Sequence, residues 1–366
     1  MKIVILGSGL MGRGIAFDLI KNSDFKDITI VDNYKNNLEE TKLLLSDSKI
    51  NYLLANINQE KTIKEIFKEN DIAVSAVPYT YNLRLTENAV KYRTHFLDLG
   101  GNNEIVQSQK KLKEKAKEKK ITIIPDCGLA PGLVSIITKE IVEELSNINY
   151  VKIRVGGLPL EPKPPLNYQL VFSPNGLINE YVEDAIVLDN GNITNKKSLT
   201  EIEEIIFPQP FGKMEAFITS GGCSTLPYSY IDKIKYLDYK TIRYPGHCDY
   251  FKDLLNIGPR DKLISYLKKN IPRNGKDVVL LKVFSKGKKD DLDINIDYTM
   301  IDYFDDKNNI SSMMRTTSYP TSIIAQFIQK EIINKKGVFC PEEIIPCDLF
   351  FNELKKRGIM LSKEYK

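Results

Sequence analysis

Residues 2–14 of the chain read KIVILGSGLMGRG, an apolar run that passes directly into a glycine-rich turn. Its glycines, Gly7, Gly9 and Gly12, satisfy the pattern G-x-G-x-x-G. In such a unit the first glycine allows a tight turn, the second lets a pyrophosphate approach the backbone, and the third lets the helix pack on the strand. The positive N-terminus of the helix then faces the phosphates. The stretch predicts a dinucleotide-binding unit at the start of the chain.

An acidic residue further along supports this prediction. Asp32 ends the second apolar run, about 20 residues beyond the glycines, where a carboxylate hydrogen-bonds the adenosine ribose. A carboxylate at this place also repels the 2′-phosphate of NADP, so we expect NAD to be the preferred cofactor. The alternative is that the glycines serve only a turn.

Short apolar runs alternate with amphipathic patterns over the first third of the chain. The predicted strands are 2–7, 27–32, 50–56, 71–78, 94–100 and 121–126, and the helices between them include 83–92 and 110–120. Strands that are apolar throughout are typical of a parallel sheet covered on both faces. We therefore predict a doubly wound α/β domain of the Rossmann type at residues 1–130.

The pattern changes after Pro131. A helix at 133–145 is followed by predicted strands at 150–156, 168–172, 215–220, 240–245, 277–285 and 293–304. In the last strand apolar and polar residues alternate, as expected for an antiparallel sheet with one face toward water. We predict an α+β domain for substrate binding and oligomerisation at 131–315, built on an open, largely antiparallel sheet. Helices at 319–333 and 350–358, within 316–366, are predicted to return to the first domain.

Composition and charge argue against several classes of function. Lys and Arg together number 52 and Asp and Glu 48, and the most basic stretch, 110–120, interleaves Glu with Lys as a solvated helix does. We therefore expect no nucleic-acid partner. The apolar run at the start is too short for a signal peptide, and no segment approaches the ~18 apolar residues of a membrane span. We expect a cytoplasmic protein without a membrane partner.

The cysteines and histidines give no sign of a metal. The five cysteines, an odd number without a C-x-x-C pair, suit a reducing compartment. Only two histidines occur, His95 and His247, and no H-E-x-x-H motif is present. We expect neither a disulfide nor a metal site.

The ends of the later strands supply further candidates, because ligands of open α/β sheets bind beyond the carboxyl ends of the strands. Asp126 and Cys127 lie together at one such end, where an ordinary turn is the alternative interpretation. Cys127 reads as a small buried hydrophobe as readily as a functional thiol. The predicted cofactor-binding residues are Gly7, Ser8, Gly9, Leu10, Met11, Gly12, Asp32, Ala76, Val77, Pro78, Tyr79, Leu99 and Gly100.

Several separated motifs together resemble the saccharopine dehydrogenase-like family. They are the glycine turn, SAVP (75–78), DLGGN (98–102), PDCGLAPG (125–132), GGLP and PPLNY (within 156–168) and TIRYPGH (241–247). PDCGLAPG and RYPGH are most similar to its lysine 6-dehydrogenase branch. The resemblance implies NAD-dependent oxidative deamination of the side-chain amine of L-lysine. The products would be ammonia and 2-aminoadipate 6-semialdehyde, which cyclises to a piperideine carboxylate. It also implies a homodimer or larger homo-oligomer.

This chemistry requires an unprotonated amine. With a pKa of ~10.4, removing the proton costs about 4 to 5 kcal/mol at pH 7. Asp126 is predicted to orient the cation or accept its proton. His247 is predicted to act as the general base that also activates water against the imine. The alternative for His247, which follows Pro-Gly, is that it caps a loop.

Arg243 is the candidate for the substrate α-carboxylate, because a guanidinium matches a carboxylate in two parallel hydrogen bonds. Its alternative is a salt bridge within the second domain. Tyr79, Asn102 and Tyr244 are weaker candidates for the polar wall. The loop 221–227 offers backbone N–H groups with Ser224 and Thr225, which suit a carboxylate or the nicotinamide ribose; a plain turn is the alternative for this loop. Arg315, Thr316 and Thr317 are predicted to cap the helix at 319–333.

Two other functions fit the same residues. A saccharopine dehydrogenase or reductase would need a second carboxylate clamp, which Lys163, Arg154 or Arg273 would supply. A non-catalytic NAD(H)-sensing protein would need only the first domain. Against it stands the presence of Asp126, Arg243 and His247 on the motifs above, for which a sensor has no use.

Overall fold

The computed structural model describes residues 1–45, 49–171, 173–273 and 275–366. They form two compact units, each discontinuous in sequence. The first comprises Met1–Ile136 and Met314–Gly358, and the second Ile137–Met313 and Ile359–Lys366. The end of the chain, 359–366, thus falls in the second unit, whereas the sequence prediction placed all of 316–366 with the first domain.

The first unit is built on a seven-stranded sheet of order β15-β6-β5-β4-β1-β2-β3. All of its neighbouring strands are parallel. Its strands are β1 (Lys2–Leu6), β2 (Asp27–Asp32), β3 (Ile50–Leu54), β4 (Ile72–Ser75), β5 (His95–Asp98), β6 (Thr122–Ile124) and β15 (Gly337–Val338). Its helices are α1 (Leu10–Asn22), α2 (Lys35–Leu44), α3 (Glu60–Glu69), α4 (Asn82–Tyr92), α5 (Asn103–Lys110), α6 (Lys113–Glu118), α13 (Pro341–Ile344) and α14 (Cys347–Lys356). The predicted doubly wound α/β class is confirmed.

The second unit contains a nine-stranded sheet, whose main path is β10-β11-β12-β7-β13-β14-β16 with β8 and β9 attached to β12. Its strands are β7 (Ser146–Pro159), β8 (Ala185–Asp189), β9 (Asn192–Lys196), β10 (Glu203–Ile206), β11 (Lys213–Ile218), β12 (Ile234–Arg243), β13 (Asp277–Lys289), β14 (Leu292–Tyr303) and β16 (Ser362–Tyr365). Its helices are α8 (Pro174–Val182), α9 (Leu226–Ser229), α10 (His247–Leu255) and α11 (Arg260–Asn270). Two further helices, α7 (Leu133–Glu144) and α12 (Ser312–Gln329), run across the divisions in the chain.

This second sheet is largely antiparallel, as predicted; β12 and β7 are parallel neighbours. Their register pairs Lys240 with Arg154 and Thr241 with Val155. Paired residues share a face of the sheet and successive residues alternate between faces. Arg154 and Lys240 therefore lie on one face of the sheet, and Thr241 and Arg243 lie on the other.

Two sequence predictions of local structure are wrong. Residues 168–171 form no strand, and Phe172 lies outside the described residues. The backbone N–H of Leu170 donates instead to the carbonyl of Pro272, and the side chains of Tyr168, Leu170 and Val171 pack into a core cluster. The basic helix at 110–120 is broken between α5 and α6, where Leu112 turns to pack against the core of the first unit.

The predicted cap of the last long helix is also wrong. Arg315, Thr316 and Thr317 lie inside α12, which begins at Ser312. The carboxylate of Asp277 accepts the backbone N–H of Ser312 at 2.7 Å and that of Met313 at 2.9 Å. A carboxylate distant in sequence thus satisfies the first donors of the helix and complements its positive end.

Candidate functional site

The glycine turn of the first unit has the geometry that a pyrophosphate needs. A Cβ at Gly12 would lie 1.9 Å from the carbonyl oxygen of Gly7, so helix and turn touch here. Gly7 has a φ of +104°, and a Cβ on it would lie 2.7 Å from the carbonyl oxygen of Ala76. Nothing lies within 4 Å of the Cβ position at Gly9, which precedes α1. The backbone is closely packed at Gly7 and Gly12, whereas the space beside Gly9 at the helix N-terminus is open. This arrangement fits a dinucleotide, whose pyrophosphate would bind at the open position.

Asp32 at the end of β2 fixes this turn. Its Oδ2 accepts the backbone N–H of Ser8 at 2.8 Å and the Asn37 amide at 3.1 Å, and its Oδ1 accepts the Tyr34 N–H at 2.8 Å. The side chain is half-buried. Asp32 therefore stands beside the glycine turn, where a ribose would be bound. Asn37 and Tyr34 are neighbours that the motif did not predict.

The remaining predicted cofactor residues line the strand ends and the start of α1. The backbone N–H of Ala76 bonds to the carbonyl of Leu6, which ties the end of β4 to the glycine turn. Pro78 and Leu10 are exposed, and the others that lie partly open are Met11, Ala76, Val77, Tyr79, Leu99 and Gly100. Asn102 caps α5, its Oδ1 accepting the Ile105 N–H at 3.1 Å. A role for Asn102 in binding stays a prediction.

Asp126 lies in a tight turn after β6. It is 1 % exposed and has a φ of +62°, in the left-handed region. A Cβ at Gly100 would lie 2.0 Å from Asp126 Oδ1, so the turns after β5 and β6 touch. The neighbouring Cys127 is fully buried, and burial raises the pKa of its thiol well above the usual value. Cys127 is thus a buried, protonated thiol rather than a reactive one.

Arg243, at the end of β12 in the second unit, is buried among aromatic side chains. Its Nε donates to the Tyr181 hydroxyl at 2.8 Å, and its Nη1 donates to the Ile242 carbonyl at 2.9 Å. Nη2 lies 3.7 Å from a carboxylate oxygen of Glu180. The guanidinium stacks 4.7 Å above the ring of Tyr168. These hydrogen bonds use Nε and one hydrogen of Nη1, so one hydrogen on Nη1 and the Nη2 group that faces Glu180 are not used by them.

His247, the first residue of α10, belongs to the same cluster. Its Nε2 lies 3.0 Å from the Tyr181 hydroxyl and its Nδ1 lies 3.0 Å from the Leu166 carbonyl. Because Tyr181 accepts from Arg243, it donates to Nε2, and we assign the His247 proton to Nδ1. Burial and the nearby Arg243 lower the pKa of His247 to about 3. Its role as general base stays a prediction, and these contacts favour a structural one.

Two features of the sequence mark the helix that carries further residues of this cluster, and the sequence analysis did not use them. Glu180 and Tyr181 lie on α8, whose start is marked by Ser173, which accepts the Gly176 N–H, and by Pro174 at the first position. Burial raises the pKa of Glu180, which is 16 % exposed. Nothing local to the chain indicates that α8 packs beside the end of β12.

The other candidates of the second unit are placed as follows. Tyr244 is half-buried, its hydroxyl donating to the Pro159 carbonyl at 2.9 Å. Thr225 is buried in the turn that precedes α9, next to Ser224. Lys163 and Arg273 are exposed. The binding roles predicted for Tyr244 and Thr225 stay predictions.

Arg154, the third candidate for a second carboxylate clamp, is committed to other groups. Nη1 and Nη2 bond to the two carboxylate oxygens of Asp238 at 2.9 and 3.1 Å, and Nε bonds to Glu203. Nη1 also donates to the Ile153 carbonyl. Lys240 bonds to Glu203 as well, at 2.8 Å. This cluster is an internal ion-pair network, so Arg154 has little capacity left for a ligand carboxylate.

Neither a metal cluster nor a membrane span is found in the part of the chain that the structure describes. No group of three or more His, Cys, Asp or Glu side chains there is arranged to hold a metal ion. No helix there is both long enough and apolar enough to cross a membrane.

Comparison with known proteins places this geometry in one family. The model of the saccharopine dehydrogenase NADP binding domain matches residues 3–124, and that of the saccharopine dehydrogenase C-terminal domain matches residues 128–359. A solved structure of apo saccharopine dehydrogenase (L-Glu forming) from Saccharomyces cerevisiae aligns with a TM-score of 0.83 at 19 % identity, over 100 % of this chain and 99 % of that chain.

Curated relatives agree in family and differ in length. Saccharopine dehydrogenase [NADP(+), L-glutamate-forming] from Pyricularia oryzae is 23 % identical over 300 residues, 79 % of this chain and 65 % of that protein. Mitochondrial alpha-aminoadipic semialdehyde synthase from Bos taurus is 22 % identical over 268 residues, 70 % of this chain and 28 % of that protein. The chain thus spans less than two thirds of either relative. Because the C-terminal domain model alone covers more than half of the chain, the protein belongs to the saccharopine dehydrogenase family.

Proposed function

We propose that the protein is an NAD-dependent oxidoreductase that deaminates the side-chain amine of L-lysine, with ammonia and 2-aminoadipate 6-semialdehyde as products. Relatives named as saccharopine dehydrogenases support an oxidoreductase that acts on an amino-acid C–N bond. The second candidate is oxidation of saccharopine itself, which those names favour.

The observation that carries the choice of lysine is the contrast between two buried arginines. Arg243 has hydrogens on Nη1 and Nη2 beyond its two hydrogen bonds and only a 3.7 Å ion pair with Glu180, whereas Arg154 is hydrogen-bonded to both Asp238 and Glu203. Of the residues considered as a second clamp, Lys163 and Arg273 are exposed. Saccharopine carries more carboxylates than lysine does. A single prepared carboxylate clamp fits lysine better.

The roles follow from the side chains. Arg243 would hold the substrate α-carboxylate in a two-bonded pair. Tyr181 and His247 would keep the guanidinium in place, since Tyr181 bonds to both. Asp126 would orient the amine or accept its proton. We also propose that Tyr244, Asn102 and Thr225 contribute polar contacts and that the active form is a homodimer or larger homo-oligomer.

For the cofactor we propose NAD, which would accept the hydride from the carbon that bears the amine. The open position at Gly9 would receive the pyrophosphate, and Asp32 would face the ribose. The family model and the fungal relatives are named for NADP. In this chain, however, the carboxylate of Asp32 would repel a 2′-phosphate. Arg13, a nearby cation that could attract a 2′-phosphate, is hydrogen-bonded to the Ser8 carbonyl and ion-paired with Glu40.

The direct test supplies purified protein with NAD or NADP and, separately, L-lysine, L-ornithine, saccharopine, and lysine with 2-oxoglutarate. Reduced cofactor is followed by absorbance from neutral to alkaline pH, and ammonia is assayed. NADH and ammonia from lysine alone, rising with pH, are the expected result. Turnover of saccharopine without turnover of lysine would overturn the substrate, and tight NADH binding without any turnover would favour a sensor.

The cofactor is tested separately with Asp32→Asn. The amide keeps the size of the side chain and removes the charge, so kcat/KM with NADP should rise relative to NAD by about tenfold or more, since each 1.4 kcal/mol of repulsion removed is tenfold. A control substitution at the exposed Glu39, Glu39→Gln, should leave the ratio unchanged. A wild-type protein that already prefers NADP would contradict the proposal.

A further inference from the structure

The turns after β5 and β6 meet at one buried carboxylate. Asp98 ends β5 and is fully buried. Its Oδ1 accepts the backbone N–H of Gly100 at 2.8 Å and that of Asp126 at 3.3 Å. Its own carbonyl accepts the N–H of Cys127 at 2.8 Å. One residue thus supplies acceptors to both turns, although the sequence singled it out only as part of a motif.

A chain of buried polar side chains holds Asp98 in turn. The Gln109 amide nitrogen in α5 donates to Asp98 Oδ2 at 2.6 Å and to the Thr86 hydroxyl of α4 at 2.8 Å. Thr86 donates to the Asn82 carbonyl at 2.8 Å, and the Asn82 amide oxygen accepts the hydroxyl of Ser75 at 2.7 Å. Ser75 ends β4. The network therefore connects the carboxyl ends of β4, β5 and β6, and all five side chains are buried.

The backbone at these turns needs such support. Asp126 has a φ of +62°, in the left-handed region that few non-glycine residues adopt and that aspartate enters more readily than most, so hydrogen bonds to its backbone help to hold it there. Gly100 has a φ of +73°, and its missing Cβ would lie 2.0 Å from Asp126 Oδ1. The bonds from Asp98 fix the Asp126 backbone in this position. A shift of one turn would therefore move the Asp126 carboxylate.

We infer that Asp98 is a positioning residue that acts through Asp126 and holds the carboxylate of Asp126 where the amine of the substrate would be bound. The catalytic part of this inference rests on the proposed function; the part that concerns the shape of the two turns does not. A carboxylate suits the place because its oxygens face three donors, whose hydrogen bonds oppose the rise in pKa that burial of Asp98 causes. An asparagine at position 98 would place its NH2 group, itself a donor, opposite at least one of these donors, and that hydrogen bond would be lost.

The kinetic test is a double-mutant cycle with Asp98→Ala, Asp126→Asn and the combination. Misplacing a reacting group by about 1 Å costs about 10²-fold, so Asp98→Ala should lower kcat/KM by about that factor. If Asp98 acts through Asp126, the combined variant should be no slower than Asp126→Asn alone. Asp98→Asn, which keeps one acceptor oxygen, should recover part of the loss. Losses that multiply in the combined variant would overturn the inference.

The matched control is Thr94→Val, just before the opposite end of β5. The buried Thr94 hydroxyl donates to the Phe67 carbonyl. Its loss should lower the urea midpoint with little change in kcat/KM. An equal loss of kcat/KM in Thr94→Val and Asp98→Ala would assign the effect to general destabilisation and overturn the inference.

Hydrogen exchange decides the structural part without any substrate. In Asp98→Ala, exchange of peptides that contain the amides of Gly100, Asp126 and Cys127 should accelerate at least tenfold relative to the other buried strands, while in Thr94→Val these peptides should accelerate no more than the rest of the protein. Unchanged exchange in Asp98→Ala would overturn the inference. If the wild-type protein turns over no amino acid, the proposed function fails, and exchange alone then judges the role of Asp98.

Discussion

Two arginines on neighbouring strands of the second sheet, Arg154 and Arg243, are equally buried but differ in what surrounds them. Arg154 meets two carboxylates and a lysine that shares one of them, and its charge is neutralised by ion pairs. Arg243 lies on the other face among aromatic rings, bonded to a phenol and a carbonyl, and its one ion pair is the longer contact of 3.7 Å from Nη2 to Glu180. Burial is the same in both, so it does not distinguish a binding arginine from a structural one. The two arginines are distinguished by the number of guanidinium hydrogens that make no hydrogen bond.

The largest effect is expected for Arg154→Met. Removing the buried guanidinium leaves Asp238 without its ion-pair partner and leaves Glu203 paired only with Lys240, which should lower the free energy of unfolding by about 3 kcal/mol. Urea denaturation measures this. The control Lys213→Met breaks an exposed pair with Glu204 and should cost less than 1 kcal/mol. Equal costs for the two variants would contradict the assignment of Arg154 to a structural network.

Arg243→Lys should affect substrate binding more than stability, the opposite of what is expected for Arg154→Met. A lysine keeps the charge but not the fork, and the loss of a two-bonded carboxylate pair should raise KM for the amino acid about 10²-fold. The free energy of unfolding should change by less than that of Arg154→Met. Steady-state kinetics with saturating NAD measures the first, and urea denaturation the second. An unchanged KM would break the comparison.

Part of the acid sensitivity of the protein should come from His247, on the Arg243 face of the second sheet. Burial beside Arg243 lowers the folded-state pKa of His247 from its usual 6.5 to about 3. Below pH 6.5 the unfolded chain therefore binds a proton that the folded chain does not, and stability falls as pH falls toward 3. Between pH 7 and pH 5 this costs about 2 kcal/mol. His95, whose pKa burial lowers to about 4, adds a similar loss in the first unit.

The measurement is urea unfolding at pH 7 and pH 5 for the wild-type protein and His247→Gln. Glutamine retains an acceptor for the Tyr181 hydroxyl and removes the titration, so the variant should lose about 2 kcal/mol less than the wild type over this range. The same pH dependence in both proteins would show that His247 is accessible to protons in the folded state.

The smallest effect is expected for Tyr181→Phe. Its hydroxyl accepts from Arg243 and donates to His247, so its loss leaves two buried groups unsatisfied and should cost about 1 to 2 kcal/mol of stability. KM for the amino acid should rise about tenfold because the guanidinium is held less well. Tyr52→Phe, which removes a hydroxyl bonded to the Leu45 carbonyl, should leave KM unchanged.

The parallel sheet of the first unit was predictable because its signals are local. Most of its strands are short apolar runs, although the two-residue β15 was not predicted, and the glycine pattern follows β1 directly, so the positions of Gly7, Gly12 and Asp32 follow from spacing alone. The second unit is harder to predict. The run at 168–172 looks like a strand because it is apolar. Tyr168 and Leu170 are nevertheless buried in a core cluster without pairing to a neighbouring strand.

The sites differ in the same way. Arg243 was predictable as an arginine in a motif, but its partner Tyr181 is 62 residues away in sequence and has no local signal. Asp98 contacts Asp126, Gln109 and Gly100 through a network that forms only when three strand ends meet. Asp277 caps α12 from 35 residues away. Long-range partners of polar groups are what a single sequence does not specify.

The central claim, that Arg243 receives the carboxylate of the substrate, is tested most directly with two substrates in wild-type protein and Arg243→Met. L-lysine is compared with 1,5-diaminopentane, which is lysine without its carboxylate. The wild-type protein should prefer lysine by about 10²-fold in kcat/KM, and the variant should lose that preference by slowing with lysine while keeping its rate with the diamine. An equal fall for both substrates would contradict the claim and make Arg243 a structural residue like Arg154.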